Sequence, residues 1–251
     1  MPAAAKIRID ALLVERGLAA SRERARALIL AGRVLVNEQK IDKPGANVAS
    51  DAALRLLGDD LPYVSRGGIK LAGALETWGI EVQGRACLDV GASTGGFTDC
   101  LLQHGAAHVT AIDTGFGQIA MKLRNDPHVR LMERTNARLL EADSLTAPPV
   151  LTLLVMDVSF ISVTLVLPAV LAAAPTIREA VILVKPQFEA GREHVGKGGI
   201  VRDPTAHQLA IDRVSQCVRD VGGEIASVIP SPITGAEGNT EFLLHAQFKH
   251  A

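Results

Sequence analysis

Short apolar runs alternate with amphipathic stretches along most of the chain. Six runs have the length and composition of buried strands, and they cover residues 86–90, 108–112, 151–156, 180–184, 224–229 and 242–247. Helical periodicity between them covers residues 98–104, 163–173 and 205–221. Strands that alternate with helices predict an α/β domain with a doubly wound parallel sheet covered by helices. Since no helix separates the last two strands, one of them is predicted to be antiparallel.

The beginning of the chain follows a different pattern. A first helix is predicted over residues 7–17, and Ser21 is the predicted N-cap of a second helix that ends at Gly32. Residues 33–37 and 39–42 then alternate as two short strands around a turn. This arrangement predicts a small α+β domain ahead of the α/β domain.

The length of 251 residues allows two domains of unequal size. We expect the small domain over residues 1–60, a linker at 61–64 and the larger domain over residues 65–251. No run of 18 apolar residues predicts a membrane span, and the N-terminus lacks the apolar core of a signal peptide, so a cytoplasmic protein is expected. The three cysteines and the scattered histidines lack the spacing of metal ligands, which predicts free thiols and no metal site.

Charge is divided unevenly between the two parts. Residues 1–70 hold 12 Lys and Arg against 8 Asp and Glu, whereas residues 71–251 hold 14 against 19. A basic excess favours contact with a polyanion. The polar face of the second helix carries Arg22, Arg24 and Arg26. On the residues alone, a solvated helix face explains these arginines equally well.

Residues 86–97, ACLDVGASTGGF, combine an apolar strand, a tight turn and the start of a helix. The turn contains three glycines: Gly91, Gly95 and Gly96. These are the parts of a nucleotide-cofactor site in a parallel sheet, although a tight turn without a ligand is the alternative. Ser93 stands where the dinucleotide fingerprint requires glycine, which disfavours a nicotinamide dehydrogenase. Asp113 follows about twenty residues later, at the place of a ribose-binding carboxylate, and Asp89 ends the strand as in many S-adenosylmethionine sites.

Charged residues also stand at the ends of other predicted strands. Asp157 and Lys185 directly follow two strands, Glu241 directly precedes the last strand, and Lys70 opens the helix before the first one. Ligands in open α/β sheets bind beyond the carboxyl ends of the strands, so these side chains can converge there. The alternative is a cluster of salt bridges that ties the edge of the sheet together.

Two resemblances follow from longer motifs. The run S-R-E-R-A-R-x-L-I-x-x-G-x-V-x-V-N is similar to the RNA-binding domain first known from ribosomal small-subunit protein S-four. This resemblance implies that Arg22, Arg24, Arg26 and Arg33 contact RNA phosphates, a role that suits arginine. The motifs VSRGGIKL, DVGASTGGFTDCLL, DVSFIS, VKPQFE and GNTEFL resemble the TlyA family of FtsJ-like 2′-O-methyltransferases, some of which are named haemolysins.

The second resemblance implies a Rossmann-like methyltransferase sheet, S-adenosylmethionine as cofactor, and ribosomal RNA or ribosomal subunits as partners. It implies a catalytic tetrad of Lys70, Asp157, Lys185 and Glu241, with Lys185 as the general base. It also implies a cofactor pocket, with Asn136 at the adenine, formed by Asp89, Gly91, Ser93, Gly95, Gly96, Phe97, Asp113, Asn136 and Asp157.

The implied chemistry requires a base, because a ribose hydroxyl is a poor nucleophile near neutral pH. Partial burial and the neighbouring Lys70 would destabilise the ammonium form of Lys185, whereas Asp157 and Glu241 would oppose that effect and orient the two lysines. Two further interpretations are a non-catalytic RNA-binding protein and a membrane-lytic toxin, although no strongly cationic amphipathic helix supports the toxin.

Two further sequence features are the phenylalanines of the Gly-rich turn and of the DVSFIS motif, and the Gly-rich segment after VKPQFE. Phe97 and Phe160 are expected in the core. The Gly-rich segment 191–203 is either a mobile cover over RNA near Lys185 or a solvated loop.

Overall fold

The computed structural model describes residues 6–19, 21–57 and 61–249. Contacts divide the chain into two compact units, Met1–Asp60 and Leu61–Ala251. Each unit has its own apolar core.

The smaller unit combines two helices with two small antiparallel sheets. In chain order its elements are β1 Lys6–Arg8, α1 Ile9–Glu15, α2 Arg22–Leu30, β2 Val34–Val36, β3 Gln39–Ile41, β4 Asn47–Ala49 and β5 Leu54–Leu56. Strand β1 pairs with β4, and β2 lies between β3 and β5. The helices and strands enclose a core that includes Ile9, Leu13, Leu28, Ile29 and Val34. The predicted α+β class of this unit is confirmed.

Local signals account for the boundaries of α2 and the β2–β3 hairpin. The Ser21 hydroxyl oxygen accepts a hydrogen bond from the Arg24 N–H at 3.1 Å, as an N-cap does. Asn37 and Glu38 both have positive φ, at 49° and 63°, as a two-residue hairpin turn requires. The first helix begins at Ile9 rather than at residue 7, because residues 6–8 pair as β1.

A seven-stranded sheet forms the centre of the larger unit. Its strands are β6 Ala86–Val90, β7 His108–Ile112, β8 Val129–Met132, β9 Leu151–Met156, β10 Glu179–Val184, β11 Gly223–Pro230 and β12 Phe242–Phe248. Their order across the sheet is β11-β12-β10-β9-β6-β7-β8. Strand β12 is antiparallel to both of its neighbours, whereas β10, β9, β6, β7 and β8 pair in parallel. This topology confirms the predicted parallel sheet and its one antiparallel strand.

Helices cover both faces of this sheet. They are α3 Gly67–Trp78, α4 Gly96–Gln103, α5 Met121–Arg124, α6 Leu167–Ala173, α7 Pro186–Glu189 and α8 Pro204–Asp220. Residues of α3 and α4 belong to the apolar cluster on one face, and residues of α6 and α8 belong to the cluster on the other. The helix predicted over residues 163–173 is divided into a 3₁₀ turn, Val163–Leu165, and α6, which has Pro168 in its first turn.

The segment expected as a linker belongs to the larger unit. The Val64 N–H donates to Asp99 Oδ2 at 2.8 Å, and Gln103 Nε2 donates to the Pro62 carbonyl at 3.0 Å. The Tyr63 ring packs so closely on Gly68 that a Cβ there would collide with it. Residues 62–64 are therefore held against α3 and α4.

Candidate active site

The Gly-rich turn follows β6 at the carboxyl edge of the sheet. Gly91 has a φ of +87°, and a Cβ on it would lie 2.5 Å from the carbonyl oxygen of Asp157. Only glycine allows the turn to approach the Asp157 backbone this closely. Gly95 has a φ of +94°, and a Cβ there would collide with Leu123 below the turn. Gly91 therefore shapes the approach to Asp157, and Gly95 allows the turn to pack on Leu123.

Asp113 holds the turn through backbone hydrogen bonds. The Ser93 N–H donates to its Oδ2 at 2.7 Å, and the Gly115 N–H donates to its Oδ1 at 2.6 Å. Ser93 itself has a left-handed backbone, with a φ of +49°. A carboxylate accepts about four hydrogen bonds, so Asp113 keeps acceptor capacity for the hydroxyls of a ribose.

A cleft of about 550 Å³ opens between the turn and the loop after β9. Gly91, Ser93, Asp113, Asn136 and Asp157 line it together with Val158–Ile161. Asn136 also caps the short turn that follows it, since its Oδ1 accepts from the Arg138 N–H at 3.1 Å. The volume, the close approach allowed by Gly91 and the ribose-type carboxylate fit S-adenosylmethionine. Asp113, Asn136 and the turn would hold it.

Asp89 is buried below the turn and does not line this cleft. Its Oδ2 accepts from the Thr98 hydroxyl at 2.6 Å, and its Oδ1 is buried with no hydrogen-bond partner among the described residues. Burial is the main cause that raises the pKa of Asp89 to about 7; the charges of Asp157 and Asp113 act in the same direction, and the Thr98 hydrogen bonds oppose them. Asp89 therefore binds Thr98 near the start of α4 and does not face the cofactor cleft.

Gly96 and Phe97 line a second cavity, of about 480 Å³, which adjoins the first. This cavity is also lined by Gly91, Asp157 and Lys185. The Phe97 side chain is buried in the core, as expected. The cleft therefore continues from the turn towards the strand-end charges.

Two lysine–carboxylate pairs stand at that end. Lys70 Nζ lies 2.5 Å from Glu241 Oε2, and Lys185 Nζ lies 2.6 Å from Asp157 Oδ1. Both lysines are only 8% exposed, although they are reached from a third cavity, of about 320 Å³, that Glu241 also lines. The four residues singled out at strand and helix ends thus meet at one place, as two ion pairs beside the cofactor cleft.

The loop after β9 contributes two residues that the sequence did not assign to the site. The Ser159 hydroxyl oxygen accepts from Lys185 Nζ at 2.6 Å, and Ser159 lines all three cavities. The expectation that Phe160 lies in the core is wrong, because this side chain is 93% exposed. Its backbone has a φ of +65°, which turns the ring outwards, 5.4 Å from the ring centroid of Phe188. The sequence did offer one signal for its place at the site, because Phe160 lies three residues after the strand-end Asp157, in the segment directly after β9.

The Gly-rich segment 191–203 is attached to the loop that carries Glu241. The buried Asn239 accepts from the Val201 N–H through Oδ1 and donates to the Gly199 carbonyl through Nδ2, both at 2.9 Å. Val195 and Gly199 line the same cavity as Lys185. The segment forms one wall of this cavity.

The four arginines assigned to RNA lie in the smaller unit. Arg22 donates to both oxygens of the buried Asp10, at 3.2 and 3.1 Å, and Arg33 Nε donates to the Leu57 carbonyl at 2.8 Å. Arg22 and Arg26 are exposed, and Arg24 is half-buried on the same helix. Arg22 therefore has a structural contact in addition to any contact with a polyanion.

Both units match known protein families. The sequence profile of the FtsJ-like methyltransferases matches residues 63–248, and that of the S4 domain matches residues 7–53. The 16S/23S rRNA (cytidine-2'-O)-methyltransferase TlyA of Mycobacterium tuberculosis is 47% identical over 96% of this chain and 90% of its own. Hemolysin A of Brachyspira hyodysenteriae is 39% identical over 95% of this chain and 99% of its own.

A solved structure shares the same architecture. A hemolysin-named protein from Streptococcus thermophilus aligns with a TM-score of 0.75 at 41% identity, over 98% of this chain and 90% of its own. Within the residues described, no helix is long and apolar enough to cross a membrane.

Proposed function

The chain belongs to the FtsJ-like methyltransferase family, and we propose that it methylates the ribose 2′-hydroxyl of a cytidine in ribosomal RNA. Its cofactor is S-adenosylmethionine, which supplies an electrophilic methyl group. The choice of ribose and of cytidine is supported by the Mycobacterium tuberculosis relative, which is named as a cytidine-2'-O-methyltransferase.

The observation that carries the proposal is the position of the two lysine–carboxylate pairs. They stand beside the cofactor cleft, and Lys185 lines two adjoining cavities, one of which it shares with the Gly-rich turn. We call the third cavity, which is lined by Lys70, Lys185 and Glu241, the acceptor cavity. A ribose that enters it would meet Lys185 Nζ beside the cofactor cleft. Alignment of the acceptor oxygen with the methyl group supplies a large share of such a rate, about 7–11 kcal/mol.

Lys185 is proposed as the general base. In its neutral form, Nζ would take the proton of the 2′-hydroxyl while the oxygen forms its bond to the methyl carbon and the bond from that carbon to the cofactor sulfur breaks. Asp157 and Ser159 hold Nζ in place, and the Lys70–Glu241 pair, which lines the same cavity, completes the proposed tetrad.

The exposed Phe160 ring supports an RNA acceptor. Proteins that recognise RNA bases outside a duplex stack them on exposed aromatic rings. Phe160 presents such a ring at the edge of both the cofactor cleft and the acceptor cavity. A protein that only stabilised its own sheet with these charges would gain nothing from an exposed phenylalanine there.

Mapping of 2′-O-methylation on ribosomal subunits tests this proposal. Incubation with the protein and S-adenosylmethionine is expected to add a ribose methyl group at one or a few cytidines. Methyl groups on bases alone, or on no RNA at all, would contradict the proposed acceptor.

The smaller unit, residues 1–60, is proposed to supply RNA affinity while the larger unit performs the chemistry. Replacing Arg24 and Arg26 by Ala spares Arg22, which binds the buried Asp10. We expect a higher KM for RNA, and a salt dependence reduced by about 0.7–0.9 for each phosphate that is no longer neutralised. Replacing the exposed Arg219 on α8 is the control, and an equal effect there would contradict the division of roles.

A further inference from the structure

The loop after β9 is attached to the segment after β10 at two points. Residues 157–163 form this loop, which carries Asp157, Ser159 and Phe160. At its beginning, Lys185 contacts Asp157 and Ser159. At its end, the contact is made by Glu189, one turn of α7 beyond Lys185.

Both carboxylate oxygens of Glu189 are used in this second contact. Oε1 accepts from the Val163 N–H at 2.7 Å, and Oε2 accepts from the Ser162 hydroxyl at 2.5 Å. The residue is 1% exposed, and its own carbonyl accepts from Arg213 Nη1 at 2.5 Å. A carboxylate removed from water this completely requires donors, and the loop supplies them.

The neighbouring hydroxyls fix the direction of the hydrogen bonds. The Ser162 hydroxyl has one proton, which it gives to Glu189, so the Thr164 hydroxyl must donate to Ser162 Oγ across their 2.7 Å contact. Ser162 Oγ also accepts from the Thr164 N–H and caps the following 3₁₀ turn. Glu189 thus sets the orientation of the whole end of the loop.

Phe160 lies between the two attachment points. Its left-handed backbone, with a φ of +65°, is one that a bulky side chain rarely adopts and that its surroundings must impose. The exposed ring gains little from burial in the core. The fixed ends of the loop can impose such a conformation together with the contact between the Phe160 and Phe188 rings.

We propose that Glu189 is a positioning residue for the acceptor side of the site: it fixes residues 157–163 so that Ser159 meets Lys185 and the Phe160 ring faces the acceptor cavity. This inference rests on the proposed function, because the cavity is taken to receive RNA. Glu189 lines neither the cofactor cleft nor the acceptor cavity.

The test compares four variants of the full chain. Glu189→Ala removes both contacts, Ser162→Ala removes one, and Glu189→Gln keeps the acceptor for Val163 but not the one for the Ser162 hydroxyl. Glu179→Ala is the matched control, because Glu179 lies at the opposite end of β10 and its carboxylate also accepts two hydrogen bonds. For each variant we would measure the melting temperature, cofactor Kd, kcat and KM for RNA, and amide hydrogen exchange over residues 157–163.

Glu189→Ala is expected to accelerate exchange at the Val163 amide by about tenfold or more, as local opening does. It should lower kcat by about tenfold or more and change the cofactor Kd by less than about threefold. Glu189→Gln and Ser162→Ala should show the same pattern to a smaller degree. Glu179→Ala should lower the melting temperature but leave exchange in the loop and kcat as in the wild type.

Unchanged exchange and kcat in Glu189→Ala would overturn the proposal, as would an equal loosening of the loop in Glu179→Ala. If Glu189→Ala fails to fold, Ser162→Ala and Glu189→Gln decide by the same criteria. If the wild-type protein methylates no RNA, the proposed function fails, and the exchange comparison still decides whether Glu189 fixes the loop.

Discussion

Charged side chains gather at both ends of the central sheet, and the two gatherings differ in what surrounds them. At the carboxyl end, Lys70 pairs with Glu241 and Lys185 pairs with Asp157. At the amino end, Arg85 and His245 both contact Glu179, at 2.6 and 2.8 Å. By residue type alone, either group could be a catalytic centre or a structural salt bridge.

The amino-end group is saturated by its own neighbours. The Arg85 guanidinium donates to Glu179, to the Thr152 hydroxyl and carbonyl, and to the Glu81 carbonyl. His245 stacks on Trp78 with 5.1 Å between ring centroids. These contacts leave few donors for a ligand, so the group ties together strands β6, β9, β10 and β12.

The carboxyl-end group is left open. Its lysines line cavities that continue into the cleft beside the Gly-rich turn, and Lys185 has the neutral Ser159 hydroxyl as a second partner besides Asp157. A buried charge becomes a candidate for catalysis where its surroundings leave room for a substrate, not merely where it is paired. Substitutions at each end test whether the two groups differ in this way.

The largest effect is expected at Lys185. Lys185→Ala should lower methyl transfer by about 100-fold or more, the typical contribution of a general base, with the cofactor Kd nearly unchanged. Lys185→Arg keeps a cation beside Asp157 but cannot lose its proton near neutral pH, so it should be equally inactive. Single-turnover methylation and calorimetric titration with S-adenosylmethionine would measure the two quantities.

The matched change at the amino end is Glu179→Gln. It should lower the melting temperature while kcat stays as in the wild type, because Glu179 lines neither the cofactor cleft nor the acceptor cavity. If Lys185→Arg retained methyltransferase activity, Lys185 would not be the general base. If Glu179→Gln folded normally but lost kcat, the claim that only the carboxyl-end group serves catalysis would be wrong.

A smaller but still large effect is expected from Gly91→Ala. The added methyl group would lie 2.5 Å from the Asp157 carbonyl, in a left-handed backbone, so the turn and the loop after β9 must move apart. We expect the cofactor affinity to fall by at least about tenfold, with strain of about 1–3 kcal/mol.

Gly79→Ala is the control for that substitution. Gly79 also has a positive φ, +61°, at the end of α3, but no atom lies within 4 Å of its added Cβ. It should cost about 1 kcal/mol of stability and leave cofactor binding intact. Equal cofactor Kd values for the two variants would show that Gly91 has no role in shaping the cleft.

The strands of the sheet interior could be predicted because each is a predominantly apolar run. β6, β7 and β9 begin and end at the predicted residues. β8 was not predicted, since it has four residues, includes the polar Arg130 and lies at the edge of the sheet. The three-residue strands β1, β4 and β5 are too short for any periodicity and depend on tertiary pairing.

The sequence could place charges at strand ends, but not their partners. It placed Lys185 beyond β10 because a lysine after an aliphatic run stands out, and parallel strands end at one edge. It did not predict the exposed ring of Phe160, because a left-handed φ in a bulky residue is imposed by contacts distant in sequence. Glu189 was missed for the same reason, since its partners lie 26 and 27 residues away. The catalytic, cofactor and RNA-binding roles of the residues stay predictions.

The two ends of the sheet should also differ in their pH dependence, because a carboxyl at each end has its pKa perturbed in the opposite direction. Burial raises the pKa of Asp89, below the cleft, to about 7 from an ordinary value of 3.8. The hydrogen bond from His245, with the Arg85 contacts, lowers the pKa of Glu179 from an ordinary value of 4.5 against the effect of burial. The stabilising contribution of Asp89 is therefore complete below about pH 4 and is lost as the pH rises through about 7. That of Glu179 is present above about pH 4.5 and is lost as the pH falls through its lowered pKa.

Asp89→Asn and Glu179→Gln should reveal these opposite dependences in denaturant unfolding between about pH 2 and 8. Relative to the wild type, the unfolding free energy of Asp89→Asn should rise with pH by up to about 1.4 kcal/mol per unit and then level off above about pH 7. Glu179→Gln should be most destabilised at neutral pH and approach the wild type in acid. If both variants keep a constant difference from the wild type, neither carboxyl titrates differently on folding, and the electrostatic contrast between the two ends of the sheet does not hold.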